Sequence, residues 1–345
     1  MKAFSINGRF FHSMSPPYVV AEIGNNHGGD PVLCAEMIKV AKDCGADAVK
    51  LQMRDNKSLY TKTLYDTPYL NRNSYGRTYG EHREVLELSY GDVESLQEIA
   101  KDVGIDFFST AFDMSSADKL IAMAMPVIKI ASGGLTNTPL IEHCAKSGIP
   151  MIISTGGAGW SDVDRVYKML KGYPVAFLHC VATYPNKPEE VNLNVIAKMI
   201  KWYDAVIGYS CHYNGIVMAA GAYMEGARII EKHFTLNHTF KGTDHALSLE
   251  PPGFESMCHD LKRLHQAKGD GVKRVLEAEI KPIRKMSHSI YVAKGVKEGL
   301  EITARNLELR IPGEGLPPYM YNDIIGKTFT RDVNEGELLK KGDWQ

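Results

Sequence analysis

Short, continuous apolar runs alternate with amphipathic stretches along most of the chain. The runs read as strands at Tyr18–Ile23, Asp47–Gln52, Asp106–Thr110, Val127–Ala131, Pro150–Ser154, Pro174–His179, Ala205–Ser210 and Ala227–His233. They are apolar throughout, as parallel strands buried on both faces must be. Between them lie helix signals. Asp30-Pro31 offers an N-cap and a first-turn proline, apolar residues recur at Leu33, Met37, Val40, Ala41 and Cys44, and Gly45 follows as a stop. Thr138-Pro139 to Gly148 and Ser161 to Gly172 repeat the scheme. Eight β/α units in about 260 residues predict a (β/α)8 TIM barrel. A doubly wound sheet is the alternative, but no Gly-rich dinucleotide fingerprint follows the first strand.

The two ends depart from this rhythm. Asn7-Gly8, flanked by Phe4 and Ile6 on one side and Phe10-Phe11 on the other, predicts an N-terminal hairpin over residues 3–12. Beyond Lys281-Pro282 the pattern becomes short β-like pieces and turns. The expected division is therefore a barrel over 1–280 and a β-rich domain over 281–345, the latter of marginal size for a lone core.

Composition adds exclusions. The 345 residues carry 40 basic and 41 acidic side chains, a net charge of −1, so neither nucleic acid nor an anionic membrane is an expected partner. Any anionic substrate must be drawn by a local cluster. No apolar run reaches the ~18–20 residues of a membrane span. The six cysteines are scattered, without a C-x-x-C pair, and suggest reduced thiols in the cytoplasm.

In a TIM barrel the C-terminal strand ends carry the chemistry. Here every such end bears a polar or ionisable group: Glu22, Lys50 and Gln52, Ser109-Thr110, Lys129 and Ser132, Ser154-Thr155, His179 and Tyr184, Ser210 and His212, Glu231 and His233. Lys50 and Lys129 with the hydroxyls of Thr110, Ser132, Ser154 and Ser210 could cage a phosphate and a carboxylate together. An unpaired ammonium inside an apolar strand would be costly, which argues against a bystander role. His212 and His233 close adjacent strands and could converge on one divalent cation, Mn²⁺ or a similar first-row ion. Cys211 is either a third ligand or a small buried thiol.

With these positions assembled, the chain resembles the sialic acid synthase family. The resemblance rests on Ala21-Glu-Ile-Gly-Asn-Asn-His-Gly28, Lys50-Leu-Gln52, Phe108-Ser-Thr110, Lys129-Ile-Ala-Ser132, Ile153-Ser-Thr-Gly156, Leu178-His-Cys180, Tyr184-Pro185, Gly208-Tyr-Ser-Cys-His212 and Glu231-Lys-His-Phe-Thr235. The tail from Arg284, with Ile311-Pro-Gly-Glu-Gly315, is similar to the family's antifreeze-protein-like (SAF-type) domain. The resemblance implies condensation of phosphoenolpyruvate with an N-acetylated hexosamine or related aldose, giving a nonulosonic acid and phosphate. It implies that Lys50, Thr110, Lys129, Ser132, Ser154 and Ser210 hold phosphoenolpyruvate, and that His212 and His233 bind the metal. Glu22, Gln52, Tyr184 and Asp244 would face the sugar or move protons. It also implies a homodimer whose small domain reaches over the partner's barrel.

Departures from the family pattern concentrate on the sugar side. Gly134 stands where a Glu is usual, Cys211 where an Asp is usual, and Ala182 where an Asn is common. Ile311 replaces an arginine, with Arg310 one place earlier as a candidate substitute. Asn73, in the long connection from Leu64 to Glu87, is a further sugar-binding candidate. These changes lead us to expect a modified hexosamine or other aldose to outperform N-acetylmannosamine as acceptor. The rival readings are a Schiff-base aldolase using Lys129 or Lys50, and a barrel that binds a phosphorylated sugar without turning it over.

Overall fold

In the computed structural model of the protein, which describes residues 3–345, all eight expected strands form and close into one parallel barrel. We number the strands in chain order. A hairpin, β1 (Ser5–Ile6) and β2 (Arg9–Phe10), precedes β3 (Tyr18–Gly24), β4 (Ala48–Met53), β5 (Asp106–Ala111), β6 (Ile128–Ile130), β7 (Met151–Ser154), β8 (Val175–Cys180), β9 (Val206–Cys211) and β10 (Ile229–His233). Neighbours in sequence are neighbours in the sheet, and β10 pairs with β3 to close the ring.

The helices begin where capping chemistry dictates. Asp30 accepts from the backbone N–H groups of Val32 (2.8 Å) and Leu33 (3.3 Å) to start the helix Pro31–Asp43. Asn137, one residue before Thr138, caps the helix Thr138–Lys146 through Leu140 N–H at 3.2 Å.

The hairpin belongs to the N-terminal end of the barrel. Asn7 and Gly8 take the left-handed backbone that its two-residue turn requires (φ 45° and 79°). Arg9 bonds Asp47 at 2.6 Å, just before β4, and Asn7 donates to Asp106 at 2.6 Å, at the start of β5. Phe4 packs tilted on Phe11, which meets Tyr18 edge to face.

The register sets the layers inside the barrel. His233 lies level with Glu22, Glu22 with Lys50, and Thr110 with both Gln52 and Lys129. Glu231 lies level with Ser210. Side chains alternate along a strand, so these residues share the inner face while Cys211 and Lys232 face outward.

The chain divides after Gly269, upstream of the expected boundary near 280. The helix Glu277–Met286 bonds within the second unit: Gly313 N–H donates to the Arg284 carbonyl at 2.8 Å, and Arg284 pairs with Glu314 at 3.1 Å. This unit is β-rich, with β11 (Ser289–Val292) antiparallel to β12 (Leu307–Arg310), and it has its own core that includes Ile290, Ile302, Phe329 and Leu339.

Candidate active site

At the C-terminal ends of the barrel strands lies a cavity of about 370 Å³. Its floor is a buried network of four charges. Lys50 Nζ lies 2.6 Å from Glu22 and 3.6 Å from Glu231, and it donates to Thr110 Oγ1 at 3.1 Å. Lys129 Nζ donates to Ser154 Oγ at 2.7 Å and lies 3.9 Å from Glu231. Ser210 completes the ring by donating to Glu231 at 3.2 Å. The two lysines thus carry two carboxylates, and the floor is close to neutral as it stands.

Environment separates the two glutamates. Burial pushes the Glu22 carboxyl upward, and the opposing pull of Lys50 does not cancel it. Burial acts on Glu231 in the same sense, but Lys129 and Lys50 outweigh it and hold the carboxyl at about 2. Burial also lowers the Lys129 pKa, whereas Lys50, which burial alone would lower, is raised by Glu22 and Glu231. Two carboxyls with divergent affinities for a proton are suited to different tasks.

Ser132 meets the floor from the loop after β6. Its hydroxyl accepts from Gly156 N–H at 3.0 Å and faces Cys180 Sγ at 3.6 Å. A side chain at Gly156 would bring a Cβ within 2.7 Å of Ser132 Oγ, so this approach requires glycine.

One wall holds the histidines. The His212 and His233 ring centres lie 5.5 Å apart, and Tyr184 packs on His212 at 4.0 Å. His212 Nδ1 lies 2.9 Å from the Val181 carbonyl, an arrangement that leaves the Nε2 lone pair free. Burial, reinforced by His233, lowers the His212 pKa to about 4, and burial lowers that of His233 as well, so both imidazoles are neutral near pH 7. His233 Nδ1 is buried without a hydrogen-bond partner, 3.8 Å from Asp244. Neutral imidazoles with an orphaned nitrogen and a nearby carboxylate fit a divalent cation. Among the described residues no group of three or more His, Cys, Asp or Glu is placed so that it could hold a metal ion.

A further wall rises through Gln52, which donates to Glu22 at 2.6 Å and accepts from Arg54. Arg54 and Arg83 both contact Glu87 (3.2 and 3.3 Å) and Asn25 Oδ1 (3.3 and 3.0 Å). The Arg54 guanidinium lies 3.7 Å over the Phe112 ring.

The cavity thus gathers Glu22, Lys50, Gln52, Thr110, Lys129, Ser132, Ser154, Tyr184, Ser210, His212, His233 and Asp244. One sugar-side candidate of the barrel is not brought there. Asn73 does not line the cavity, and its backbone N–H bonds Asn71 Oδ1 at 2.8 Å in a local turn. Arg310 lies on β12 of the second unit, paired with Glu308 at 2.8 Å. Of the departures, Ala182 lines the cavity but Cys211 and Gly134 do not. Cys211 is the small buried thiol of the two readings, packed outside the ring against Lys232 at 3.7 Å. Gly134 borders a neighbouring depression.

The hub of the floor, Glu231, is a strand-end residue to which the sequence reading assigns no role in the site. The signal is there, since Glu231 stands two residues before His233 on the same face. Arg54 and Asn25 lie in loops and Arg83 on the short helix Tyr79–Leu86, where no strand-end position points at them.

Known proteins provide an independent comparison. The sequence model of the NeuB family matches residues 37–273. The chain is 35% identical over 337 residues to N-acetylneuraminate-9-phosphate synthase of Homo sapiens, covering 96% of this chain and 94% of that protein. It is 34% identical to N,N'-diacetyllegionaminic acid synthase of Legionella pneumophila, covering 93% of each. The crystal structure of N-acetylneuraminic acid synthetase from Leptospira borgpetersenii, in complex with citrate, superposes with a TM-score of 0.72 at 29% identity, over 82% of this chain and 95% of that one.

Proposed function

Because the chain belongs to the NeuB family, we propose that it condenses phosphoenolpyruvate with an N-acetylated hexosamine or related aldose, with a divalent metal bound at His212 and His233. It is a phosphoenolpyruvate-dependent synthase of the sialic and nonulosonic acid class, a transferase that forms a C–C bond. Neither a Schiff-base aldolase nor a non-catalytic barrel is favoured.

The observation that carries the site assignment is the four-charge floor with its attached hydroxyls. Lys50 and Lys129 take the phosphate and carboxylate of phosphoenolpyruvate, and Thr110, Ser132, Ser154 and Ser210 add directional hydrogen bonds. C3 of phosphoenolpyruvate then attacks the aldehyde carbon, water adds at C2, and phosphate leaves from the tetrahedral intermediate. The lysines steady the anionic charge through both steps. Glu22, with its raised proton affinity, protonates the nascent alkoxide. Asp244, beside the histidines, is the alternative proton carrier. Gln52 and Tyr184 border the acceptor's space. A metal, for which Mn²⁺ is the best match, supplies Lewis-acid polarisation of the aldehyde when bound.

We read the second unit as the family's antifreeze-protein-like domain and the assembly as a homodimer, with Arg310 and Asn73 contributing to sugar recognition. Six free cysteines and the lack, among the described residues, of any helix fit to span a membrane support a cytoplasmic setting. Release of inorganic phosphate from phosphoenolpyruvate, measured across a panel of aldoses, tests the central reading. A purified, folded protein releasing none with any of them would refute it.

A further inference from the structure

Glu22 is held by two neighbours of different kinds. Lys50, 2.6 Å from Oε2, can only donate. Gln52 ends in an amide whose oxygen and nitrogen occupy almost the same space, so either can in principle face the carboxyl. With Nε2 toward Glu22, the amide donates to Oε1 at 2.6 Å. Turned over, it would set Gln52 Oε1 against Glu22 Oε1, two acceptors that meet only with a proton between them. The Glu22 proton would then be tied up against Gln52 and withheld from the substrate.

The group behind the amide decides between the two. Arg54 follows directly after the end of β4, at the rim of the cavity, and its Nη2 donates to Gln52 Oε1. A guanidinium has five N–H donors and no acceptor, so only the amide oxygen can face it. Arg54 is itself held in place. Its Nη1 lies 3.2 Å from Glu87 Oε1, its backbone N–H donates to Glu87 Oε2 at 3.2 Å, and its guanidinium lies 3.7 Å over the Phe112 ring. Arg83, the second arginine of the rim, pairs with the same carboxylate at 3.3 Å. The Arg54 side chain is 7% exposed, a setting in which losing a hydrogen bond is costly. Gly24 packs close by: a Cβ there would stand 3.2 Å from both Gln52 Nε2 and Glu22 Oε1.

We propose that Arg54 is a positioning residue for the proton-transfer step. Through Gln52 it keeps an amide N–H on Glu22 and leaves the Glu22 proton free for the nascent alkoxide. When that proton moves to the alkoxide oxygen, Glu22 becomes a carboxylate, and the amide N–H and Lys50 stabilise the charge left behind. No bond to Arg54 or Gln52 forms or breaks. The proposal rests on the synthase reading above and adds the residue that sets the hydrogen-bond polarity around its acid.

The test measures phosphate release from phosphoenolpyruvate with Mn²⁺ and the aldose that the wild type uses fastest in a panel including N-acetylmannosamine. It compares the wild type with Arg54→Met, Gln52→Ala and the double variant. Arg54→Met should lower kcat by about tenfold or more, the worth of a hydrogen bond to a charged group, and leave both KM values within about twofold. In the Gln52→Ala background the same substitution should change kcat by less than about twofold, because no amide is left to turn. Equal kcat losses in both backgrounds would make Arg54 a general support of the fold and overturn the proposal. A raised KM for the aldose with kcat intact would make it a substrate ligand, and unchanged kinetics would give it no part; either overturns the proposal. Thermal melting verifies that each variant folds. Should Arg54→Met not fold, a crystal structure of the wild type with phosphoenolpyruvate and Mn²⁺ decides: Arg54 on Gln52 and clear of phosphoenolpyruvate upholds the proposal, and Arg54 turned onto phosphoenolpyruvate overturns it. A wild type that releases no phosphate with any aldose overturns the synthase reading itself, and this proposal with it.

Discussion

The inner and outer faces of the barrel strands each bury lysine, and they solve the problem in opposite ways. Inside, Lys50 and Lys129 are compensated by Glu22 and Glu231 and by two hydroxyls, those of Thr110 and Ser154. Outside, Lys232 is fully buried with the Cys211 thiol at 3.7 Å and the Tyr213 carbonyl as partners, and burial lowers its pKa. One strand, β10, thus carries Glu231 and His233 toward the cavity and Lys232 away from it. The inner charges can be exchanged for substrate because their partners are ionisable. The outer charge lines no part of that cavity.

If that division is right, the largest effect comes from the inner face. Lys129→Met should lower kcat by on the order of 10²–10³ and raise KM for phosphoenolpyruvate, with a folded protein by thermal melting. Near-normal kinetics would remove Lys129 from the phosphoenolpyruvate site. Exhaustive chelation should reduce turnover by about 10² or more, with recovery on adding Mn²⁺ or a neighbouring ion. Full activity in protein shown by elemental analysis to be metal-free would leave His212 and His233 as structural residues.

A smaller effect appears in stability. Glu231 is held at about 2 in the folded state, well below an ordinary glutamate. A depressed carboxylate stabilises above its unfolded pKa, and the contribution disappears as pH falls from about 4.5 through about 2. Glu231→Gln should flatten that acid limb in denaturant titrations, and an unchanged limb would show that the lysines do not hold the charge.

The smallest effect belongs to the outer face. Cys211→Asp gives Lys232 a carboxylate, and should raise stability by about 1 kcal/mol while leaving kcat within about twofold. A large change in acceptor kinetics would mean that position 211 communicates with the sugar after all.

Much of this architecture is legible in the residue pattern alone. The eight apolar runs, the capping pairs and the ionisable strand ends announce a barrel and one reactive rim. Period-two alternation also turns Cys211 outward, since Ser210 and His212 on either side point in. What the residue pattern cannot disclose depends on register across strands. Glu231 becomes the hub only because β10 lies between β9 and β3, which brings it to Lys50 on β4, the next strand but one, and to Lys129 across the ring. Asn73 does not line the cavity, and the reason is local. The Asn71 side chain accepts from the Asn73 backbone N–H and folds the segment into a turn. The rim arginines stay hidden beside and within the long connection, where residue type signals charge but not direction.

The closure of β10 on β3 has a further consequence, one of timing. His233 lies level with Glu22, so the site is shared between the first barrel strand made and the last. Contacts between distant parts of a chain form late because their loop entropy must be overcome first. A nascent chain still short of His233 therefore has no reaction site, however well its earlier β/α units have condensed. Reactivity arrives as a single event near the end of barrel synthesis, and truncated products released by a stalled ribosome would carry lysines but no chemistry.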